Sequence, residues 1–353
     1  MHIALFADTA LPARNGVATA IHNARAGLLA CGHRVTLVTV KLPGSNPTTD
    51  TLRVPAVPYF HGLWIGLPAR LNLPSDIDLI HTHTEFTLGW MGRHLARTRG
   101  LPHIHTAHTR YDHYRHYAPG LPARWAYRAW AHFLSGCAAV VCPSENMQNL
   151  VRRHATDTPT LLIPNGLDVA RFRPALDGLT RADVGLGTAE RVLLSVGRLA
   201  REKRPRALLA ALAPLLVHHP AWHLLFVGDG PLRSAIQRDA HRAGIGAQVH
   251  VPGGFAWEKM PNVYRLADVY VSASLSENHP MTVIEAAAAG LPLVAREGIT
   301  GAARTDDELA AQVQTLLSEP SAYQTAAEQS TLLAETCSTE NHIRALAALY
   351  ATV

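Results

Sequence analysis

Ser276-Glu277-Asn278-His279-Pro280-Met281-Thr282-Val283-Ile284-Glu285-Ala286-Ala287-Ala288-Ala289-Gly290-Leu291-Pro292 follows an apolar, strand-like run from Ala267 to Ala273. The stretch reads as a loop and then a helix. Pro280 suits a first helical position, where its missing N–H is no loss. Gly290 suits the residue just past the helix, and Pro292 stops its continuation. The first-turn amides, near Met281 and Thr282, then point beyond the end of the preceding strand. A helix N-terminus carries partial positive charge and receives anions. Glu277 stands before the helix and Glu285 within it. One carboxylate can reach past such an anion while the other reaches a neighbouring hydroxyl group, which suits a sugar-bearing diphosphate.

Upstream, strand Val192–Val196 runs into Gly197-Arg198-Leu199-Ala200-Arg201-Glu202-Lys203-Arg204-Pro205 and a helix to about His218. Arg198 offers a fork of donors and Lys203 a point charge, a pair suited to clamping a diphosphate. The chain has only three lysines, which makes Lys203 at a strand end notable. The first half has the same strand–loop–helix–strand grammar: Ile3–Ala7, a loop, a helix from about Val17 to Ala30, then Val35–Val40. Neither a G-x-G-x-x-G fingerprint nor P-loop spacing is present. The Asn15-Gly16-Val17 turn lets backbone approach a ligand closely, because Gly16 has no side chain.

The chain has 353 residues, which suits two domains, and 48% hydrophobic against 17% charged residues, which suits a globular protein. Its start lacks a basic segment and an apolar signal core, and the run Ala207–Val217 is too short to span a bilayer. The expectation is therefore a cytoplasmic protein, soluble or peripheral on the inner face of the membrane. Residues 1–170 hold 15 Lys and Arg against 9 Asp and Glu, with 14 of the 21 histidines, whereas residues 171–353 hold 17 against 18. That asymmetry suggests an anionic partner for the first half, either nucleic acid or a membrane surface. Cys137 and Cys142, five apart on an expected strand, should be buried thiols on opposite faces. Pro58–Pro74 reads as an irregular loop.

Histidines gather at two expected strand ends, His81-Thr82-His83-Thr84-Glu85 and His105-Thr106-Ala107-His108-Thr109. Strand pairs at i, i+2 share a face and suit a metal, but no H-E-x-x-H and no nearby cysteine completes a site. The competing reading is ligand binding beyond the carboxyl ends of the strands. Arg110–Phe133 then carries four Arg, three His and seven aromatics. Trp125, Ala129, His132 and Phe133 fall near one helical stripe, with Arg124 and Arg128 on an adjoining edge. This composition suits a lipid headgroup interface, RNA stacking, or a core-facing helix with solvated arginines.

Glu277 and Glu285, eight apart and followed by Ala-rich helix, Gly290 and Pro292, resemble the E-x7-E signature of retaining glycosyltransferases of family 4. The pattern usually has Gly where this chain has Pro280. The resemblance covers about residues 1–345 and implies an α/β protein of the GT-B type, two Rossmann-like domains facing across a cleft. It implies an acceptor-binding domain over 1–168, a nucleotide-sugar-binding domain over 169–336, and a C-terminal helix in 337–353 that packs back on the first. It also implies that Glu277 contacts the donor sugar and Glu285 the ribose. Arg198 and Lys203 match the family's diphosphate-binding positions, and the loop at Gly16 approaches the same diphosphate.

The histidine segments, with Tyr111, Asp112, Tyr114 and Tyr117, are similar to bacterial diacylglycerol glycosyltransferases, in which the residue matching His108 lies near the transferred sugar. The implied reaction moves a hexose from an NDP-sugar, UDP-glucose or UDP-galactose, to a lipid such as diacylglycerol, forming an α-linkage. Tyr111, Arg124, Trp125 and Arg128 are the expected acceptor and membrane contacts. No cofactor, catalytic metal or specific nucleic acid is expected, and the sequence sets no oligomeric state. Three alternatives stay open: a soluble sugar or polysaccharide acceptor, a nucleotide-sugar epimerase, and a non-catalytic scaffold for RNA or another anionic polymer.

Overall fold

The structure, a computed structural model, describes the chain apart from residues 14, 46–48, 60–63, 111–122, 174–177, 188–190, 300 and the side chain of 123. Two compact units form, Met1–Gly166 with Cys337–Val353, and Leu167–Thr336. The first runs β1 (His2–Ala7), α1 (Gly16–Ala30), β2 (Arg34–Val40), β3 (Thr51–Val54), β4 (Ala56–Pro58), β5 (Trp64–Gly66), β6 (Leu79–Thr82), α2 (Thr87–Arg99), β7 (His103–Thr106), α3 (Ala123–Leu134), β8 (Ala139–Cys142), α4 (Glu145–His154) and β9 (Thr160–Leu162). The second runs β10 (Arg191–Val196), α5 (Pro205–His218), β11 (Trp222–Val227), α6 (Arg233–Arg242), β12 (Val249–Gly253), α7 (Met260–Arg265), β13 (Val269–Ser272), α8 (Met281–Ala288), β14 (Leu293–Ala295), α9 (Asp306–Ser318) and α10 (Pro320–Thr336); α11 (Thr339–Tyr350) then belongs to the first unit.

The first unit's main sheet has the order β3-β2-β1-β6-β7-β8-β9 and is parallel throughout. A parallel sheet is covered on both faces, so its strands are apolar on both. β1 illustrates this. Ile3, Leu5 and Ala7 pack with Ile21 and Leu28 of α1 and with Ile343, Leu346, Leu349 and Tyr350 of α11. Ala4 and Phe6 pack on the other face with Leu88 and Ala96 of α2. Burial of the three α11 aliphatics stabilises by about 1.5–3 kcal/mol each, which fastens the end of the chain to the first unit.

The second sheet, β12-β11-β10-β13-β14, is also parallel. Leu193, Leu224, Phe226, Val269 and Val271 meet Leu208, Leu212 and Leu216 of α5, Ile236 of α6 and Leu309 of α9.

Several local expectations change. Within Pro58–Pro74, β5 pairs antiparallel with β4, from Ala56↔Gly66 to Pro58↔Trp64, so part of the expected loop is a hairpin. Its three-residue strands are too short for alternation to be legible. Cys137 precedes β8, so strand alternation does not separate it from Cys142; the two thiols lie in one cluster with Phe133 and Met147. Pro280 is the N-cap with extended ψ of 118°, so the helix starts at Met281, one residue later than expected. Its carbonyl accepts from Val283 N–H at 3.1 Å. Gly290 ends α8 at φ +80°, and Leu291 N–H closes on Ala286 O at 3.1 Å, as a left-handed C-terminal turn requires. At the other helix of interest, Gly16 is the first residue of α1 rather than part of a turn before it, and Asn15 Oδ1 caps Ala18 N–H at 2.9 Å.

Candidate functional site

In the second unit, β10 and β13 run side by side and end together. The sequence after β10 turns through Gly197 and Arg198 into a 3-10 turn, Arg201–Lys203. The sequence after β13 forms the loop to α8. These two loops meet through polar contacts. Lys203 Nζ lies 2.7 Å from Glu277 Oε1. Arg198 Nη2 lies 2.6 Å from Glu202 Oε1, a carboxylate only 3% exposed. Ser276 Oγ donates to the Glu202 carbonyl at 3.2 Å. Arg198, Lys203 and Glu277 are thus brought into one cluster, with each cation paired to a carboxylate. The side chains of Arg198 and Lys203 are 34% and 27% exposed, and the carboxylate partner fixes where each cation sits.

The loop after β14 supports this cluster. Glu277 N–H donates to Glu297 Oε2 at 3.0 Å. Gly298, at φ +86°, sits so that a Cβ would lie 2.8 Å from Pro280 Cγ. The Pro280 ring therefore fills space that a side chain at 298 would need. Just beyond, α8 begins, and its first N–H groups have no partner within the helix. The Met281 and Thr282 amides are two of these. Thr282 Oγ1 is 2.9 Å from Tyr270 OH.

Glu285 lies one turn along α8 and is buried, 5% exposed. Tyr264 OH donates to its Oε2 at 2.7 Å. Burial pushes the Glu285 carboxyl from its usual 4.5 up to about 7, against the opposing effects of the Tyr264 hydrogen bond and the Arg171 charge. Arg171 itself stacks on Trp257, its guanidinium carbon 3.3 Å from the ring centre. A buried carboxyl with a raised pKa is an expensive way to cap a tyrosine, and such groups concentrate at functional sites.

In the first unit, both histidine segments lie at carboxyl ends of strands. The rings of His81 and His105, and that of His103 at the start of β7, are satisfied inside the fold. His81 Nδ1 and Nε2 each lie 2.7 Å from a hydroxyl, Tyr350 OH and Thr106 Oγ1. His103 Nε2 is 2.9 Å and His105 Nδ1 2.8 Å from Thr82 Oγ1. His105 Nε2 reaches Glu85 at 3.0 Å, and Trp130 Nε1 donates to the same carboxylate oxygen at 3.0 Å. Burial lowers His103 to about 3, so that ring is neutral. His108, half-buried, lies just past β7. Among the described residues, no group of three or more His, Cys, Asp and Glu is arranged to hold a metal. Gly16 is exposed at the start of α1. Tyr111 lies outside the described residues, as do Asp112, Tyr114 and Tyr117.

The face of α3 differs from the expected stripe. Trp130, Phe133 and Leu134 are buried, so Phe133 belongs with the core. Arg124, Trp125, Arg128, Ala129 and His132 are exposed. Trp125 is 54% exposed, with Arg128 over its ring at 5.8 Å. On α2, Trp90 adds to this face, 5.9 Å from His132 and 5.2 Å from the Arg93 guanidinium. Phe86, just before α2, is also exposed.

Sequence reasoning does not single out Glu202, Glu297 or Tyr264. Glu202, four residues after Arg198, is the legible one, since a carboxylate at that spacing can hold an arginine. The partners of Glu277 and Glu285 are 20 and 21 residues away in sequence, and no local pattern marks them.

The model of Glycosyltransferase Family 4 matches residues 14–171, and that of Glycosyl transferases group 1 matches residues 179–344. An alpha-monoglucosyldiacylglycerol synthase from Streptococcus pneumoniae is 34% identical over 315 residues, 84% of this chain and 71% of that protein. The chain belongs to glycosyltransferase family 4. A second alpha-monoglucosyldiacylglycerol synthase, from Acholeplasma laidlawii, is 26% identical over 84% of this chain and 80% of its own length. Among solved structures, sucrose-phosphate synthase from Thermosynechococcus elongatus matches with a TM-score of 0.80 at 23% identity, covering 100% of this chain and 98% of that one. Anabaena HepE in complex with UDP and glucose matches with a TM-score of 0.78 at 16% identity over the whole of both chains. These likenesses fix the fold as GT-B, and this family 4 chain is a glycosyltransferase. Among the described residues, no helix of this glycosyltransferase is long and apolar enough to cross a membrane.

Proposed function

We propose that this glycosyltransferase moves a hexose, glucose or galactose, from its UDP-sugar to the hydroxyl of a lipid such as diacylglycerol, with retention of configuration. The observation that carries the donor half is the cluster of Arg198, Lys203 and Glu277 beside the first turn of α8. Breaking the bond from the anomeric carbon to the diphosphate leaves charge on the departing phosphate oxygen. Arg198, Lys203 and the Met281 and Thr282 amides meet that charge with donors already in position. The incoming diphosphate competes with Glu202 and Glu277 for the two cations. Glu277, released from Lys203 but still held through its backbone by Glu297, then accepts from hexose hydroxyls. Glu285 accepts from the ribose, and Gly16 brings backbone close to the diphosphate. His108 contacts the transferred hexose. The acceptor hydroxyl attacks from the face that the diphosphate leaves, giving the α-linkage.

The lipid half of the proposal is supported by the 34% identity to an alpha-monoglucosyldiacylglycerol synthase and by the exposed Trp125, Arg124 and Arg128 of α3. Tryptophan beside basic side chains suits the headgroup layer, where the ring enters the apolar boundary and the cations meet anionic lipid. The reading puts the enzyme on the inner face of the cell membrane as a peripheral protein. Replacing Lys203 or Glu277 by Ala tests the donor half: transfer is lost while the fold survives. Undiminished turnover in either variant rejects the assignment.

A further inference from the structure

His83 is absorbed by neither the core nor the proposed chemistry, yet it is buried and fully enclosed. Its Nδ1 lies 3.2 Å from His108 Nε2. Its ring stacks on His81, centroids 4.4 Å apart and planes at 27°. It also stacks on His108, 5.5 Å apart at 22°. His81 is fixed in turn by Tyr350 of α11 and by Thr106. The far nitrogen of His83, Nε2, is buried with no hydrogen-bond partner among the described residues.

That last fact decides where the protons are. If His108 Nε2–H donated to His83, a neutral His83 would carry its own proton on Nε2, as a buried N–H with nothing to receive it. Orphaned buried donors are rare, and unsatisfied acceptors are tolerated better. The favoured arrangement has His83 Nδ1–H donating to His108 Nε2 and leaves only a lone pair at the buried nitrogen. We infer that His83 is a positioning residue, which fixes the ring of His108 and holds it as the Nδ1–H tautomer.

Burial drives the His83 pKa far below the ordinary 6.5, so it stays neutral and keeps this single donor role. With its Nε2 lone pair occupied, His108 is an N–H donor through Nδ1 and is unsuited to remove a proton through Nε2. A donor is what binding a hexose hydroxyl oxygen requires. This deepens the proposed function and rests on it.

The test uses full-length protein labelled with 15N-histidine. Two-bond 1H–15N correlation spectra identify the His108 ring by its loss in His108→Asn. Wild type should give a protonated Nδ1 and an unprotonated Nε2. His83→Phe keeps a stacked ring but removes the donor, and the Phe edge replaces a nitrogen that had no partner. In this variant His108 should revert to the Nε2–H form favoured by free histidine. Its kcat should fall about tenfold to a hundredfold, as expected for a misplaced active-site group, while KM for the nucleotide sugar changes little. His83→Asn, whose amide N–H falls near the place of Nδ1, should restore the tautomer and part of kcat. It also serves as the test variant should His83→Phe fail to fold.

A protonated Nε2 on His108 in wild type, or an unchanged tautomer in folded His83→Phe, overturns the proposal. Full turnover by His108→Asn together with the expected tautomers would support the orienting role of His83 and overturn the catalytic role of His108.

Discussion

Replacing Glu285 by Gln should make the second unit more stable and the enzyme worse. The side chain is buried on α8, with Tyr264 OH donating to it at 2.7 Å. Burial raises its carboxyl from 4.5 to about 7. A carboxyl whose folded pKa is raised contributes its stability below the unfolded value and loses it as pH climbs through the folded one. The window here runs from about pH 4.5 to about pH 7. At about 1.4 kcal/mol per pH unit, ionised Glu285 destabilises the folded state by about 3 kcal/mol above that window. Gln keeps an acceptor for Tyr264 and carries no charge. The variant should match wild type near pH 5 and exceed it by about 3 kcal/mol at pH 8.5, a rise of roughly 6–12 °C in Tm for a unit of this size. Scanning calorimetry at pH 5, 7 and 8.5 reads this, with the transition of the second unit followed separately. Nucleotide-sugar affinity should fall in the same protein. If the Glu285→Gln protein is no more stable than wild type at pH 8.5, the carboxylate is compensated in the fold, and the argument that it is kept for a ligand fails.

Other outcomes follow from the same geometry. Lys203→Ala should lower kcat by about a hundredfold or more, the scale of losing one preorganised donor to developing charge, with an unchanged circular dichroism spectrum. Glu202→Gln should loosen Arg198 and raise KM for the nucleotide sugar more than it lowers kcat, as steady-state kinetics would read. Trp125→Ala with Arg124 and Arg128 changed to Glu should abolish sedimentation with anionic vesicles, since each basic side chain near such a surface contributes about 1 kcal/mol; activity on a water-soluble acceptor analogue should persist. Of the four cysteines, Cys31 is exposed and the other three are buried. Burial raises the Cys142 and Cys337 thiols to about 12 and that of Cys137 further. One equivalent of thiol reagent should therefore react in the native state and four after unfolding, as mass spectrometry would count.

The two parallel sheets were legible because their strands announce themselves. Ile3–Ala7, Val35–Val40, Val192–Val196 and Trp222–Val227 are apolar on both faces, and each ends in a loop rich in Gly, Asp or basic residues. The diphosphate candidates were legible for the same reason: Arg198, Lys203 and Glu277 sit directly after such strands, where open α/β sheets bind ligands. Partners far apart in sequence were not legible. Nothing local joins Glu277 to Glu297, Glu285 to Tyr264, or His81 to Tyr350, which is 269 residues away. The α3 face is only half legible. Helical spacing groups Trp125 with Phe133, but eight residues on a helix differ by about 80° in direction, at 3.6 residues per turn. That angle is enough to send Phe133 into the core and leave Trp125 outside. The sequence alone places Pro280 one residue too far into its helix because the fixed φ of proline suits both the N-cap and the first helical position.

Transfer of a hexose to a lipid leaves a glycolipid whose identity can be read. Purified enzyme is given UDP-glucose or UDP-galactose with vesicles of diacylglycerol and an anionic phospholipid, and the extracted lipid is analysed by mass spectrometry, with NMR for the anomeric configuration. An α-hexosyl diacylglycerol should form in step with UDP release and be absent with Lys203→Ala protein. Release of UDP at the rate seen without lipid, with no glycolipid formed, would contradict transfer to a lipid.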